Sequence, residues 1–281
     1  TGLGHGDALH LNDFDPYRHG QEFFGCNENA PSNNYCDATT RKILYRYAGG
    51  TDDGRSMMGN FTDLYPGAQG STARDGNLIS SVTHSGIPGG SKNDIAQNMR
   101  IYWDGDLCEE TFNYINGKNT AGAIIKYGSG VIATLEGSMT NNDTKGTPCL
   151  QADIFGDWRE EVVMRTADNK VRIYTTNTQT PWRNYTLWHD HQYRNAVVWQ
   201  MNGYNQPPHT SYFLGKLEGI TMAPPATIMT GRTEVKNQGT IGADANDKQI
   251  ITCETNDMTV AVADGASPYI YFDNTPSWVQ G

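Results

Sequence analysis

The chain has 281 residues, with 31 acidic and 21 basic side chains and a formal net charge of -10 at pH 7. This length suits one large domain or one and a half ordinary ones. The acidic balance argues against nucleic acid as a partner, because phosphate binding needs a basic face. No apolar run approaches the roughly 20 residues that cross a bilayer, so the sequence predicts a soluble protein without a membrane span.

The five cysteines are an odd number without CxxC spacing, which argues against a zinc site and against a full disulfide framework. Cys26 and Cys36 could close one surface loop in an oxidising compartment, and the sequence leaves this pairing open. The first residues show no basic region followed by an apolar segment, although a precursor could have lost a signal peptide.

Short apolar runs broken by Gly, Asn, Asp and Pro fill most of the chain, and helical periodicity is almost absent. This pattern predicts an all-β fold. The predicted strands include residues 42–47, 122–127, 131–135, 161–165, 171–175 and 196–200.

A weak repeat emerges when the acidic turns are aligned on Asp13, Asn60, Asp104, Asp153 and Asp190. Successive turns lie 47, 44, 49 and 37 positions apart, close to the roughly 40 to 50 residues of a four-stranded propeller blade. The spacing predicts four or five blades, with a β-sandwich as the alternative. An arc of this size exposes a sheet edge, so either the ring is small or the chain belongs to a larger one.

The acidic turns are also candidate calcium sites, since alternating carboxylates and an intervening carbonyl can supply the 6 to 8 oxygens that Ca²⁺ takes. The competing interpretation is that these residues cap turns through hydrogen bonds to the backbone. The predicted metal ligands are Asp7, Asp13, Asp15, Glu22, Asp153, Asp157 and Glu160.

Several longer stretches resemble, in the same order, the rhamnogalacturonan lyases of polysaccharide lyase family 11. They include GLGHGDALHLNDFDP, DGRSMMGNF, YWDGDL, NDTKGTPCLQADIFGDWREEVV and WHDHQYRNAVVWQMNGYNQPPHTSYFLG. The resemblance covers residues 1–215. It implies an eight-bladed β-propeller with structural Ca²⁺, a saccharide cleft over the ring centre, and β-elimination in the rhamnogalacturonan I backbone. The family's propeller is longer, so we expect this chain to form its second half.

The resemblance also assigns residues to the cleft. The family's sugar-binding Asn-Gly-Thr-Lys loop falls on Asn142, Asp143, Thr144 and Lys145, with Asp143 in place of the glycine. This departure adds a side chain where the family has none. The backbone geometry of the loop, and with it the activity, therefore depends on whether Asp143 can adopt the conformation of the glycine.

Two further positions are carried over from the family. Its active-site arginine falls on Arg55 and its sugar-stacking tyrosine on Tyr204. Without the resemblance, Arg55 reads as an ordinary surface charge and Tyr204 as a core aromatic.

The implied chemistry suits these residue types. Elimination removes the proton on C5 of a galacturonate and expels the oxygen on C4, so the neighbouring carboxylate must be neutralised. Arg55 can grip a carboxylate with two parallel donors. Lys145 is the first candidate base, provided that burial or Arg55 lowers its pKa. His209 and Tyr204 are the alternatives, and both are also expected to contact the substrate.

The character of the sequence changes after Gly215. We interpret residues 216–226 as a linker and residues 227–281 as the start of a small β-rich segment. The sequence thus predicts a Ca²⁺-containing pectin lyase that is secreted or exposed at a bacterial cell surface and monomeric if its ring is complete. The alternatives are a non-catalytic carbohydrate-binding propeller, for which Asp143 is the indication, and a calcium-stabilised adhesion propeller.

Overall fold

The structure, a computed structural model, describes residues 5–29, 33–49, 52–97, 99–200, 202, 206–216, 242–243, 249–254 and 257–259. Within them, four antiparallel sheets follow one another along the chain as the blades of a β-propeller. The predicted all-β propeller fold is therefore confirmed. The predicted linker lies outside the described residues apart from Lys216.

The first two blades each contain four strands in sequence order. Blade 1 comprises β1 (Gly6–Asn12), β2 (Glu22–Asn27), β3 (Asn33–Asp37) and β4 (Ile43–Tyr47). Blade 2 comprises β5 (Ser56–Gly59), β6 (Gln69–Thr72), β7 (Asn77–Ser80) and β8 (Ser85–Ser91).

Blade 3 has the same order, and blade 4 is a larger sheet. Blade 3 comprises β9 (Met99–Ile101), β10 (Glu110–Tyr114), β11 (Gly122–Lys126) and β12 (Gly130–Leu135). Blade 4 begins with β13 (Ser138–Met139), β14 (Leu150–Ala152), β15 (Glu161–Thr166) and β16 (Val171–Thr175). Both β13 and β14 pair with β15.

The described part of the C-terminal segment joins blade 4. Its strands are β17 (Gly242–Ala243), β18 (Gln249–Glu254) and β19 (Asp257–Thr259), and β18 pairs with β16 in antiparallel register. These strands extend the propeller sheet, so this part of residues 227–281 packs with the blades.

Burial and contacts between blades show which strand of each blade lies at the inner side of the arc. The first strands β5 and β9 are buried along their whole length, whereas the last strand of blade 3, β12, begins with three exposed residues. Strand β5 contacts both β1 and β9, so the first strands lie at the inner side of the arc. Facing sheets enclose apolar clusters, such as Phe24, Tyr35, Met58 and Ile79 between blades 1 and 2, whose burial stabilises the arc.

One predicted strand is wrong, because residues 196–200 belong mostly to a helix. Helix α1 spans His191–Trp199, and the Asp190 side chain caps it by accepting from the backbone N–H groups of Gln192 and Tyr193. Tyr193, Ala196 and Val197 form its buried face at helical spacing. The turn at Asp190, aligned above as a fifth blade, is therefore a helix N-cap. No helix among the described residues is long and apolar enough to cross a membrane.

The Cys26–Cys36 pairing is also excluded. Both residues lie on the β2–β3 hairpin, but Cys26 stands opposite Asn33 and Cys36 opposite Phe23. Three residue steps of roughly 3.4 Å separate the two positions along the strands, too far for a disulfide bond. Both cysteines are buried free thiols.

Candidate functional site

The predicted sugar-binding loop and the acidic turn of blade 4 lie at opposite ends of the same strand. Residues 142–146 precede β14, and Asp153 and Asp157 follow it. Likewise Asp7 lies at the start of β1 and Arg55 directly precedes β5, whereas the Asp13 turn follows β1. We call these two faces the upper face, with Asp7, Arg55 and Lys145, and the lower face, with the acidic turns.

The loop on the upper face is closed by a short neck. Asn141 and Thr147 exchange two backbone hydrogen bonds, of 2.8 and 3.0 Å. Residues Asp143–Lys145 form one 3₁₀ turn between them. The Arg165 guanidinium donates to the Asn141 side chain at 2.7 Å and to the Thr140 carbonyl at 2.9 Å. These contacts fix the loop on strand β15, so Lys145 is presented from a braced turn.

The loop backbone explains why a glycine would suit position 143. Asn142 and Asp143 both have positive φ, of 56° and 49°, a conformation that costs most L-residues about 1–2 kcal/mol. The Asp143 carboxylate forms an exposed ion pair with Lys118 at 2.8 Å. Asp143 thus keeps the left-handed turn, and its added charge is matched by a neighbouring lysine.

Lys145 and Arg55 approach each other across the upper face. The Lys145 ammonium donates to the Gly54 carbonyl at 2.7 Å, and the Arg55 guanidinium donates to the Thr144 carbonyl. Burial, and next the charge of Arg55, lower the pKa of Lys145. The Asp7 and Asp52 carboxylates oppose this shift. Burial and Arg55, the two causes expected from the sequence, therefore both lower the pKa of Lys145.

Acidic groups converge on the same spot. A Cβ built on Gly54 would lie 3.4 Å from Asp52 Oδ1, 3.6 Å from Asp7 Oδ2 and 3.9 Å from Lys145 Nζ. Gly54 therefore lies where two carboxylates and the ammonium group meet.

Asp7 also belongs to a group with metal-ligand geometry. Ligand atoms of His5, Asp7 and Glu28 all lie within 4.8 Å of one another. Asp7 is buried, and its Oδ1 has no hydrogen-bond partner among the described residues. One imidazole and two carboxylates form a donor set that divalent cations accept. The sequence analysis identified Asp7 but missed His5 and Glu28, which only the β1–β2 pairing brings together.

Two other residues, Tyr204 and His209, were also predicted to contact the substrate. Tyr204 lies outside the described residues. His209 is not at the cleft surface, because it is 4% exposed and hydrogen-bonds to His10 at 2.9 Å. Burial lowers the pKa of His209 well below its ordinary value. Its prediction as a substrate contact is therefore wrong, since it is buried in the interior.

On the lower face, a carboxylate or amide closes each blade turn through the backbone. Glu22 accepts from the N–H groups of Phe14 and Asp15, at 3.0 and 3.1 Å. Gln69, Glu110 and Glu161 make the same type of contact in blades 2, 3 and 4. These side chains start the second strand of blades 1–3 and the central strand β15 of blade 4, so they define the true register of the repeat.

The predicted ligand set of blade 1 is a cluster of like charges. Burial, Glu22 and Asp15 raise the pKa of Asp13 to about 7. Asp13 Oδ1 has no hydrogen-bond partner among the described residues. Arg18 lies 3.4 Å from Glu22 and His84 lies 3.8 Å from Asp15. The orphaned oxygen fits a cation, although these three carboxylates are not among the groups that converge within 4.8 Å in the described part of the chain.

In blade 4, the side chain that faces the acidic turn is Glu161 and not the predicted Glu160. Glu160 is fully buried and accepts hydrogen bonds from Arg100 at 2.7 Å and from Tyr193 at 2.8 Å. These contacts, with the Tyr102 N–H and the Gln151 amide, make it an internal ion-pair partner, so its assignment as a calcium ligand is not supported. Glu161 faces the turn instead, where burial, Asp157 and Asp153 raise its pKa.

Asp153 is the other buried carboxylate of this turn. Its Oδ2 accepts from Thr186 Oγ1 at 2.7 Å and from the Leu187 N–H at 2.8 Å, while Oδ1 has no partner among the described residues. Burial raises the pKa of Asp153 to about 7, and Asp157 adds to the shift. Asp157 itself pairs with Arg159.

A comparison with protein families assigns the chain to a known class. The model described as rhamnogalacturonan lyase family 11, C-terminal domain, matches residues 1–225. The chain therefore belongs to this family, and the resemblance noted from the sequence motifs is confirmed.

Individual relatives agree with this assignment. The chain is 43% identical over 236 residues to the rhamnogalacturonan endolyase YesW of Bacillus subtilis and 41% identical over 247 residues to the exolyase YesX of the same organism. The solved YesW structure superposes with a TM-score of 0.69 over 79% of this chain, and a Bacillus licheniformis rhamnogalacturonan lyase with 0.68 over 78%. The chain spans 36% and 40% of the lengths of YesW and YesX.

Proposed function

We propose that this chain forms part of a polysaccharide lyase that cleaves the rhamnogalacturonan I backbone by β-elimination at galacturonate C4. Family membership supports the class of substrate and reaction. The observation that carries the proposal is the half-buried Lys145 beside Arg55 on a braced loop of the upper face. A lowered pKa increases the fraction of lysine present as the neutral amine, which is the form that can act as a base.

In this mechanism, Arg55 neutralises the galacturonate carboxylate and so acidifies the adjacent C5–H. Its fork of five N–H groups allows contact with a carboxylate alongside the bond to Thr144. Lys145, in its neutral form, takes the proton from C5. The electrons of the C5–H bond form the C4–C5 double bond. The C4–O bond breaks with its electron pair on the oxygen, which takes up a proton from water as the leaving saccharide is released. Asn142 and Thr144, on the same turn, are proposed to contact the sugar hydroxyl groups.

A Ca²⁺ ion is proposed as the cofactor of the upper face, held by His5, Asp7 and Glu28. The unpartnered Asp7 oxygen and the close approach of three ligand atoms support this set. A cation bound there would supply positive charge for the substrate carboxylate. On the lower face, structural Ca²⁺ at the turns of Asp13 and of Asp153, Asp157 and Glu161 remains a proposal supported by the orphaned carboxylate oxygens.

The substrate also bears on location. A polysaccharide of this size does not cross a membrane intact, so we propose that the protein acts outside the cytoplasm, secreted or at the cell surface. Separate fractionation of medium, surface and cytoplasm from the producing cells tests this, and a purely cytoplasmic distribution would contradict it.

The decisive experiment incubates the complete protein with rhamnogalacturonan I and follows the ultraviolet absorbance of the new C4–C5 double bond. We expect Lys145→Ala to lower the rate by roughly 10²–10⁴-fold, the usual range for loss of a general base. Arg55→Ala should have a comparable effect, with little change in melting temperature for either variant. Lys170→Ala is the matched control, since Lys170 is an exposed lysine that lies near Asp168 and outside the loop of residues 142–145, and it should leave the rate nearly unchanged.

Measuring oligosaccharide binding beside turnover separates the alternative functions. Binding of rhamnogalacturonan oligosaccharides without any absorbance change, not restored by Asp143→Gly, would favour a non-catalytic carbohydrate-binding propeller. Absence of both binding and turnover would favour a calcium-stabilised adhesion propeller. Unfolding of the Lys145→Ala protein would show that Lys145 is a structural residue.

A further inference from the structure

The four lower-face turns share a backbone hydrogen-bond pattern but compensate their carboxylates in different ways. In blade 3 the compensating group is a lysine. The Lys126 ammonium lies 2.6 Å from Asp104, 2.9 Å from Asp106 and 2.8 Å from Glu110. The same three carboxylates form a group whose ligand atoms all lie within 4.8 Å of one another.

The position of Lys126 follows from strand register. Ile125 on β11 pairs with Thr111 on β10, so Lys126 stands beside Glu110, the first residue of β10. Asp104 and Asp106 belong to the turn that leads into the same strand. The lysine therefore reaches the centre of the turn from the neighbouring strand of its own blade.

The corresponding cross-strand position differs in every blade. Blade 1 has Asp37 opposite Glu22, blade 2 has Ser80 opposite Gln69, and in blade 4 Thr175 follows Tyr174, the partner of Val162. In blade 4 that residue is neutral, and its hydroxyl donates to Glu161 at 2.9 Å.

Blade 2 removes the charge in another way. Gln69 replaces the glutamate, and its amide nitrogen donates to the Gly67 carbonyl at 2.7 Å while its oxygen accepts the two turn N–H groups. An amide thus supplies both the acceptor and the donor that a carboxylate and a cation supply together. At the position of Gln69, blade 2 therefore needs no compensating cation, and the lysine near this turn, Lys216, pairs instead with Asp63 at 2.8 Å.

We propose that Lys126 is a built-in cation that takes the place of a divalent metal ion in the turn of blade 3. Its three contacts are to oxygens of the hard type that Ca²⁺ prefers, and one tethered ammonium group occupies the space between them. Burial alone would lower the pKa of Lys126, but Glu110 and the two aspartates hold it well above its ordinary value. The lysine therefore stays charged, and this turn is independent of dissolved metal.

The proposal predicts that removing the lysine uncovers a metal site. We expect Lys126→Met to bind one more Ca²⁺ per chain than the wild type, counted by native mass spectrometry and by equilibrium dialysis with Ca²⁺ as the probe. Calcium should also stabilise this variant more than the wild type. At a free concentration about 100 times the dissociation constant, one added site raises the folding equilibrium constant about 100-fold.

Matched variants make the result specific. Lys170→Met removes an exposed lysine that lies 3.4 Å from Asp168, and it should leave the number of bound ions unchanged. Lys126→Met combined with Asp106→Asn should return the count to that of the wild type. An unchanged count in folded Lys126→Met protein would overturn the proposal.

A second measurement decides the matter if Lys126→Met does not fold. Asp106 is partly exposed, with 40% of its side chain accessible, so Asp106→Asn changes the turn while Lys126 stays in place. The proposal expects this variant to bind as many Ca²⁺ ions as the wild type. Loss of one ion would show that the turn of blade 3 already holds a metal, and the proposal would be wrong.

Discussion

The interior contains a pair of neutral histidines that makes stability depend on pH. His10 Nε2 lies 2.9 Å from the Ser56 carbonyl, so this nitrogen carries a proton and donates. His10 Nδ1 is then the acceptor for His209 Nε2–H, at 2.9 Å. Protonating His10 would place a positive charge in a fully buried site, so burial favours the neutral form of His10.

The size of the effect follows from the pKa. Burial, with a further contribution from the charge of Arg100, lowers the pKa of His10 from 6.5 to about 4. The unfolded chain therefore binds more protons than the folded one between these values, and stability falls as the pH falls through this window. A full shift of about 2.5 units corresponds to roughly 3.4 kcal/mol. Between about pH 7 and pH 5, His10 alone accounts for roughly 2 kcal/mol of lost stability.

Urea denaturation at several pH values, with the wild type and His10→Gln side by side, measures this contribution. Glutamine does not titrate, and its amide nitrogen can retain the donor to the Ser56 carbonyl. Contributions of the buried carboxylates are present in both proteins and cancel in the comparison. The wild type should lose about 2 kcal/mol more than the variant over this pH range. Equal losses in both proteins would refute the burial of a neutral His10.

Two further substitutions test the site loop and the interior. Asp143→Gly should raise the free energy of unfolding by about 1 kcal/mol, because glycine adopts the left-handed conformation without strain; Asp143→Ala, which keeps the Cβ, should show no such gain, and equal denaturation midpoints for the two variants would contradict this reasoning. Arg100→Met should lower the free energy of unfolding by about 3–5 kcal/mol, because it leaves the buried Glu109 and Glu160 without their cationic partner. A loss of less than about 1 kcal/mol in thermal or urea unfolding, as for an exposed ion pair, would contradict the second prediction.

Local sequence patterns were sufficient for much of the fold. Alternating apolar runs and turn residues predicted the blades, since each blade is built from neighbours in sequence. The loop at Asn142 to Lys145 was predicted from the family resemblance, and its role in binding sugar stays a prediction; its backbone conformation and the lowered pKa of Lys145 are compatible with that role. The blades and the turn of the loop depend mainly on residues close together in the chain, whereas the lowered pKa of Lys145 depends on burial and on the distant Arg55.

Features that depend on pairing between strands were not predictable in this way. Glu160 and Glu161 are adjacent, and only the direction of β15 decides which side chain faces Arg100 and which faces the turn. His209 was assigned to the cleft because its motif gave no measure of burial. The run at 196–200 is short and rich in valine, which suits a strand or a buried helix equally well, and the Asp190 cap decided for the helix.

The lower face explains why the repeat is so degenerate in sequence. Each turn keeps one side-chain oxygen at the start of the next strand, bonded to backbone N–H groups, and this requirement is met by Glu22, Gln69, Glu110 and Glu161. The charge that such an oxygen brings can be balanced by a neighbouring cation or removed by an amide, and these solutions use unrelated residues. Hydrogen bonding therefore fixes the shape of each turn, while the group that balances the charge varies from blade to blade. An alignment of aspartates alone finds the spacing of the blades but does not find the side chains that close their turns.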